Sequence, residues 1–238
     1  MEKGWSVMAE NAVSDDGLPL GAEIDADGLW SQVLNRAQGA GLRPGLFLDR
    51  DGLVVEEVHY LHRPADVRLI DGAAGVITKA NVRGFPVILV TNQAGIAHGR
   101  YGWGEFAEVQ EKIIDDLATE GAFINAVFAC PHHGDGRPPY DKPDHSWRKP
   151  NPGMLLATAE RLPVDLGKSW IVGDRAQDLA AGKSAGLAGG VHVLTGHGGG
   201  DGEREEALRL EGDGFKALTA ADITQAASLL PSFKEGGD

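Results

Sequence analysis

The stretch GLFLDRDG, residues 45–52, sets a short and wholly apolar run against a tip carrying two carboxylates one residue apart. The run is too short and too continuously apolar for a surface helix, and reads as a strand buried on both faces. Four further stretches share its texture: PVILVT (86–91), NAVFA (125–129), SWIVGD (169–174) and GVHVLT (190–195), each bounded by Gly, Pro or polar residues. Helical segments fill the intervals over Gly72–Arg83, Glu105–Glu120, Pro152–Arg161 and Gln177–Ala185. For the third of these, Asn151 is expected as N-cap with Pro152 at the first helical position. Strands alternating with helices predict right-handed βαβ units and a three-layer α/β fold with a mostly parallel sheet. Beyond them, GHGGGDG (196–202) is expected as a flexible surface loop, EREEALRL (203–210) as a charged helix, and Ala220–Leu230 as a final helix. Residues 1–44 are Gly- and Asp-rich and read as an extension to a domain spanning 45–238. One amphipathic helix is expected in it, around Asp25–Ala40, with Trp30, Val33 and Leu34 as its apolar stripe.

A chain of 238 residues makes one substantial domain that buries roughly 70–75% of its unfolded surface, so neither disulfide nor metal is required for stability. Hydrophobic residues at 42% and charged ones at 24% are ordinary for a soluble globule. The single cysteine, Cys130, excludes an intrachain disulfide and fits a reducing compartment. The segment MEKGWSVMAENAVSDDG lacks the basic start and apolar core of a signal peptide. No run approaches the roughly 18 apolar residues of a membrane span, so a cytoplasmic location without a membrane partner is expected. A net charge of −13 argues against non-specific nucleic-acid binding, which needs a basic surface to displace counterions. It does not disfavour a phosphorylated substrate, for which a few local cations suffice.

Ligands of such a sheet bind at the carboxyl ends of its strands, so the residues there decide the chemistry. Asp49 and Asp51 end the first strand. They do not begin an EF-type calcium loop, because the fifth and twelfth positions are Leu53 and Tyr60; a plain turn remains open. Thr91, Asn92 and Gln93 end the second strand. Asp174 ends SWIVGD, with Asp178 one helical turn on, and Lys149 stands just before a helix. Each alone suits a cap or a surface charge. Their joint appearance at strand ends, in this order, does not.

These positions resemble the four motifs of the haloacid dehalogenase (HAD) superfamily of phosphohydrolases: DRDG (49–52), Thr91, Lys149 and GDRAQD (173–178). FLDRDG, IDG (70–72), VTNQAGIAHG (90–99), CPHH (130–133) and RKPNPGM (148–154) are similar to the branch holding heptose bisphosphate and histidinol phosphate phosphatases. The resemblance implies a Rossmann-like HAD fold and a small phosphorylated metabolite as substrate. Asp49 would be the nucleophile and Asp51 the general acid and base. Asp49, the Asp51 carbonyl and Asp174 would hold Mg²⁺, Thr91 and Lys149 the phosphate oxygens, and Asp178 would orient Lys149 or the metal's waters. Forty residues separate Asp51 from Thr91 and 58 separate Thr91 from Lys149, too few for a large cap domain. Selectivity then falls to the rim, where the resemblance places Glu57, His59, Tyr60, Asn92, Gln93, Arg148 and Arg175. Arg148 suits a second phosphate, gripped in bidentate fashion, and so a sugar bisphosphate. Glu56 and Glu57 keep histidinol phosphate as the alternative. A catalytically inactive binding protein on the same fold is disfavoured because Asp49, Asp51, Thr91, Lys149 and Asp174 are all present.

The loop CPHHGDGRPPYDKPDHSWRKP (130–150) resembles a structural zinc module of these phosphatases, which is Cys-x-His, a gap, then Cys-x-Cys before the Arg-Lys pair. Cys130 and His132 match its first half and His145 takes the third position, but Trp147 takes the fourth and cannot bind zinc. A Zn²⁺ site wants four ligands, so the loop is expected to be a remnant that positions Arg148 and Lys149 without an ion. Oligomeric state is not legible.

Overall fold

The GLFLDRDG stretch forms strand β3 (Leu46–Leu48), and its alternation sets the layers of the molecule. Leu46 and Leu48 enter one core and Phe47 the other, as the two-residue period of a strand requires. The computed structural model describes residues 17–34 and 41–233. The same division runs through β4 (Val87–Asn92), β5 (Ala126–Cys130) and β6 (Trp170–Gly173). Leu89, Val127 and Val172 lie on the Leu48 side, and Ile88, Phe128 and Ile171 on the Phe47 side. Helices α1 (Ala73–Val82), α3 (Trp103–Thr119) and α7 (Ile223–Leu229) cover the first face; α4 (Gly153–Arg161), α5 (Ala176–Ser184) and α6 (Glu203–Leu208) cover the second. A single turn, α2 (Ala94–Ala97), follows β4.

With β1 (Ala22–Ile24), β2 (Trp30–Val33), β7 (Gly189–Val193) and β8 (Lys216–Ala220), the sheet of the described residues has eight strands in the order β1-β2-β5-β4-β3-β6-β7-β8. The six strands from β5 to β8 along that order pair in parallel, whereas β2 pairs antiparallel with both β1 and β5. β3 lies between β4 and β6. The chain leaves it first toward one edge and later toward the other, which opens a crevice at the carboxyl ends of these strands. Between Asp51 and Thr91 the chain forms a flap, α1 and β4; between Thr91 and Lys149 it forms α2, α3, β5 and the 131–149 loop. Among the described residues no cap domain covers the crevice.

Four expectations are corrected. The helix around Asp25–Ala40 is absent from 25–34, and 35–40 lie outside the described residues. Its supposed stripe is divided instead: Trp30, on β2, is fully buried against Trp103 and Phe106 at 5.5 and 5.2 Å, while Val33 packs toward the opposite face. Ala22–Ile24 and Trp30–Val33 therefore extend the sheet. KALTA (216–220) forms the edge strand β8, which shortens the final helix to Ile223–Leu229. Asn151 does not cap α4; its side-chain amide donates to the His145 carbonyl at 3.1 Å, and Pro152 occupies the cap position. The fourth correction, to the glycine-rich loop, belongs to the site.

Candidate active site

Three strand tips and one loop end meet in the crevice. Asp49 follows β3, Thr91 sits near the end of β4, Asp174 follows β6, and Lys149 arrives through the loop after β5. The Lys149 ammonium is buried between the Asp49 Oδ1 at 2.9 Å, the Asp178 Oδ1 at 2.6 Å and the Val90 carbonyl at 2.8 Å. Three donors meet three acceptors. Burial disfavours its charge, yet the carboxylates of Asp178 and Asp49 outweigh that and hold its pKa above the ordinary lysine value. The remaining Asp178 oxygen accepts the Arg175 backbone N–H at 2.9 Å, which fixes the first turn of α5. Asn92 clamps the Lys149 backbone on both sides, accepting from its N–H at 3.1 Å and donating to its carbonyl at 3.0 Å.

Carboxylate oxygens of Asp49, Asp174 and Asp178, all buried, come within 4.8 Å of one another. Burial raises the Asp49 pKa well above the carboxylate range against the pull of Lys149, with Asp178 and Asp174 adding to the rise. Burial, then the neighbouring Asp178, pushes Asp174 up to about 7. One lysine does not balance three carboxylates, and the donor set of hard oxygens fits a small divalent cation. The glycine-rich loop completes this pocket and is not a free surface loop. The His197 N–H donates to the Asp174 Oδ2 at 2.7 Å. A Cβ on Gly196, whose φ is +55°, would fall 2.2 Å from that oxygen and 2.7 Å from the Gly52 Cα.

Asp51 is held by Arg50 and Gln93, of which only Gln93 was singled out from sequence, and as a rim residue. Arg50, buried between the two aspartates, places its Nε 3.1 Å from both Asp51 oxygens and its Nη2 2.9 Å from Oδ2. The Gln93 Nε2 donates to the Asp51 Oδ2 at 3.0 Å and to the Thr91 Oγ1 at 2.7 Å. Its Oε1 accepts from the Arg50 Nη2 at 3.1 Å and from the Tyr101 hydroxyl. Burial keeps that phenol protonated by raising its pKa. Asn92 and Gln93, expected as substrate contacts on the rim, line the cleft with their amide atoms engaged by protein groups. The only sequence signal for Arg50 was its place between Asp49 and Asp51; Tyr101 gave none.

Above these groups opens a cleft of about 340 Å³. Glu57, His59, Tyr60, Arg148 and Arg175 line it, together with His98, His133 and His197. The Glu57 Oε1 lies 3.6 Å from the His197 Nε2, bringing the flap to the glycine-rich loop. Arg148 donates from Nη1 to the His132 carbonyl at 2.8 Å, so the guanidinium is fixed beside Lys149 at the cleft wall. Cys130, His132 and His145 do not assemble with the carboxylates: among the described residues the aspartate trio is the one group of three or more metal-ligating side chains.

A Rossmann-like sheet with this cluster of carboxylates, lysine and threonine at its strand tips defines a phosphoric monoester hydrolase. The family model described as "HAD-hyrolase-like" matches residues 146–215. A D-glycero-beta-D-manno-heptose-1,7-bisphosphate 7-phosphatase of Mesorhizobium japonicum is 44% identical over 163 residues, covering 68% of this chain and 75% of the relative. A solved HAD-like phosphatase of Mesorhizobium loti superposes with a TM-score of 0.77 at 39% identity, covering 88% of this chain and 95% of that one. The D,D-heptose 1,7-bisphosphate phosphatase of B. bronchiseptica, solved with magnesium and phosphate, gives a TM-score of 0.65 at 30% identity over 79% of this chain and 98% of that one. The chain belongs to the HAD superfamily of phosphatases, in the branch of the heptose bisphosphate phosphatases.

Proposed function

We propose that the protein is a Mg²⁺-dependent phosphatase that removes the 7-phosphate of a D-glycero-D-manno-heptose 1,7-bisphosphate through a phosphoaspartyl intermediate on Asp49. The observation that carries the bisphosphate reading is the Arg148 guanidinium, fixed at the cleft wall one residue from the buried Lys149. Such a pair suits two phosphates on one substrate, and three relatives named as heptose bisphosphate phosphatases, at 44%, 38% and 36% identity, support it.

Thr91 and Lys149 hold the oxygens of the phosphate to be cleaved. An Asp49 oxygen attacks phosphorus, the bond to the sugar oxygen breaks, and the protonated Asp51 carboxyl gives its proton to the departing alkoxide. Asp51, then a carboxylate, takes a proton from the water that attacks the phosphoaspartate, which releases inorganic phosphate and restores Asp49. Arg50 and Gln93 keep the Asp51 carboxyl in place for both transfers. Asp49 and Asp174, with the Asp51 carbonyl, would hold Mg²⁺, which when bound neutralises phosphate charge so that an anionic nucleophile can approach. Asp178 belongs to Lys149 in this reading, given their 2.6 Å contact.

Selectivity follows from the flap, Arg148 and Arg175 rather than from a cap. No helix of the described residues is long and apolar enough to cross a membrane. Together with the single cysteine and an acidic chain, that supports a cytoplasmic enzyme acting on a small metabolite. The test is kcat/KM with Mg²⁺ for heptose 1,7-bisphosphate, a sugar monophosphate and histidinol phosphate. The bisphosphate is expected to lead by about 100-fold or more, the scale of a lost charged contact. Parity, or preference for histidinol phosphate, would transfer the assignment to the alternative built on Glu56 and Glu57.

A further inference from the structure

We infer that the 131–149 loop, which delivers Arg148 and Lys149, is braced by the Asp25–Leu29 turn of the N-terminal hairpin in place of the zinc ion that the resemblance implies. The residues at the zinc positions do not fit an ion. A metal bound by an imidazole lies in the ring plane, and the rings of His132 and His145 are stacked 4.2 Å apart with planes only 4° from parallel. Two parallel planes share no such point. The His145 Nδ1 already accepts the Trp147 backbone N–H at 3.1 Å, which commits its lone pair. At the fourth position Trp147 packs edge-on against Phe128, with centroids 5.7 Å apart. Cys130 is enclosed at the end of β5 among the apolar side chains of the second core. The His132 Nδ1 has no hydrogen-bond partner, but no trio of ligand atoms gathers around it among the described residues.

The place of the ion is taken by the turn between β1 and β2. The Asp25 Oδ1 accepts from the N–H groups of Asp27 at 3.0 Å and Leu29 at 2.9 Å, closing the turn with its own side chain. Gly28, at a φ of +74°, seats against Tyr140 so closely that a Cβ there would lie 2.4 Å from the ring. This presents the Asp27 carbonyl to the His132 Nε2 at 3.0 Å; because a carbonyl only accepts, the proton of His132 resides on Nε2. The Asp27 carboxylate pairs with Lys142 at 2.8 Å and lies 3.8 Å from the His145 Nε2. On the other side of the same residue, the His132 carbonyl accepts from Arg148 at 2.8 Å. An unbroken chain therefore runs from the turn, through the His132 ring and its carbonyl, to the guanidinium at the cleft. His132 and Asp25 act as positioning residues for Arg148.

The kinetic consequence rests on the bisphosphate reading, whereas the metal content does not. Full-length protein purified without chelator from zinc-supplemented medium should carry less than about 0.1 zinc per chain, since a structural site would retain its ion. His132→Phe, which keeps a ring but loses the Nε2 donor, should raise KM for a bisphosphate about 5–10-fold while changing monophosphate kinetics less than about 2-fold. His132→Gln, whose amide can still donate, should restore the bisphosphate KM. Asp25→Ala, in the exposed turn, should act in the same direction and lower Tm by a few degrees, and it replaces His132→Phe should that variant not fold. About one zinc per chain whose chelation lowers Tm would overturn the inference. So would losses in His132→Phe and Asp25→Ala that are equal for both substrates while Arg148→Ala still discriminates. If Arg148→Ala itself does not discriminate, the bisphosphate reading fails, and zinc content with the Tm of Asp25→Ala decides the brace alone.

Discussion

Replacing Lys149 by Met keeps the unbranched stem and removes one charge from the centre of the site. In the native protein that ammonium contacts Asp49 at 2.9 Å and Asp178 at 2.6 Å, with Asp174 completing the carboxylate cluster. Nothing bathes the pair in solvent, since Lys149 and Asp178 are 1% and 0% exposed. Taking one partner from a buried pair strands the other, at about 3–5 kcal/mol. The penalty falls on ionised carboxylates, so it depends on pH with a definite sign. A carboxyl whose folded pKa lies above its unfolded value contributes stability at low pH that is lost as pH rises through the folded pKa. Without Lys149, whose charge pulls against the rise, the Asp49 pKa is displaced further in that direction. Urea unfolding followed by tryptophan fluorescence in EDTA should therefore show Lys149→Met less stable than wild type by about 3–5 kcal/mol at pH 8, and by clearly less at pH 5. Mg²⁺ should recover part of the difference at pH 8 by mass action on the folded state. Turnover should drop at least about 100-fold, as a phosphate oxygen and the nucleophile both lose their cation. A stability loss below about 1 kcal/mol at pH 8, or one that is the same at pH 5, would refute the view that Lys149 compensates the cluster.

Asp49→Asn should leave less than about a hundredth of wild-type kcat in a phosphate-release assay, because an amide neither attacks phosphorus nor ligates a hard cation well. Gly196→Ala should increase the Mg²⁺ concentration for half-maximal activity about 10–100-fold, the usual cost of disturbing a ligand's support, because its Cβ would sit 2.2 Å from the Asp174 Oδ2. Tyr101→Phe removes one donor to Gln93 and so loosens Asp51; kcat should fall about 5–10-fold with KM nearly unchanged, and a change confined to KM would argue against a positioning role. Wild-type protein in EDTA should lose stability as pH rises from about 4 to about 7, where Asp174 titrates, by at most about 1.4 kcal/mol per pH unit for that proton. Saturating Mg²⁺ should flatten this dependence, since the cation replaces the proton.

Local sequence determined the central strands and the polar groups carried at their tips. Leu46, Phe47 and Leu48 are apolar on both sides because β3 is covered on both faces, so a run of three residues already announces a central parallel strand. The strand ends then followed from the periods, and Asp49, Thr91 and Asp174 were legible there because a parallel α/β sheet always gathers chemistry at its carboxyl edge. The edges of the same sheet were not legible. Trp30–Val33 fits a helical stripe as well as an edge strand, and its strand identity is set by β5, about 100 residues further along the chain. KALTA likewise becomes β8 only by pairing with β7. Side chains that serve other side chains were less legible: Arg50 offered only its place between two aspartates, Gln93 read as a rim contact, and Tyr101 gave no signal. Arg50, Gln93 and Tyr101 acquire their role only when three separate segments close around Asp51. The loop from Cys130 to Lys149 shows the same limit: its residue types state that a complete zinc set is missing. Only tertiary contact with Asp27 supplies a partner for the His132 ring, because the hydrogen bond joins residues 105 positions apart.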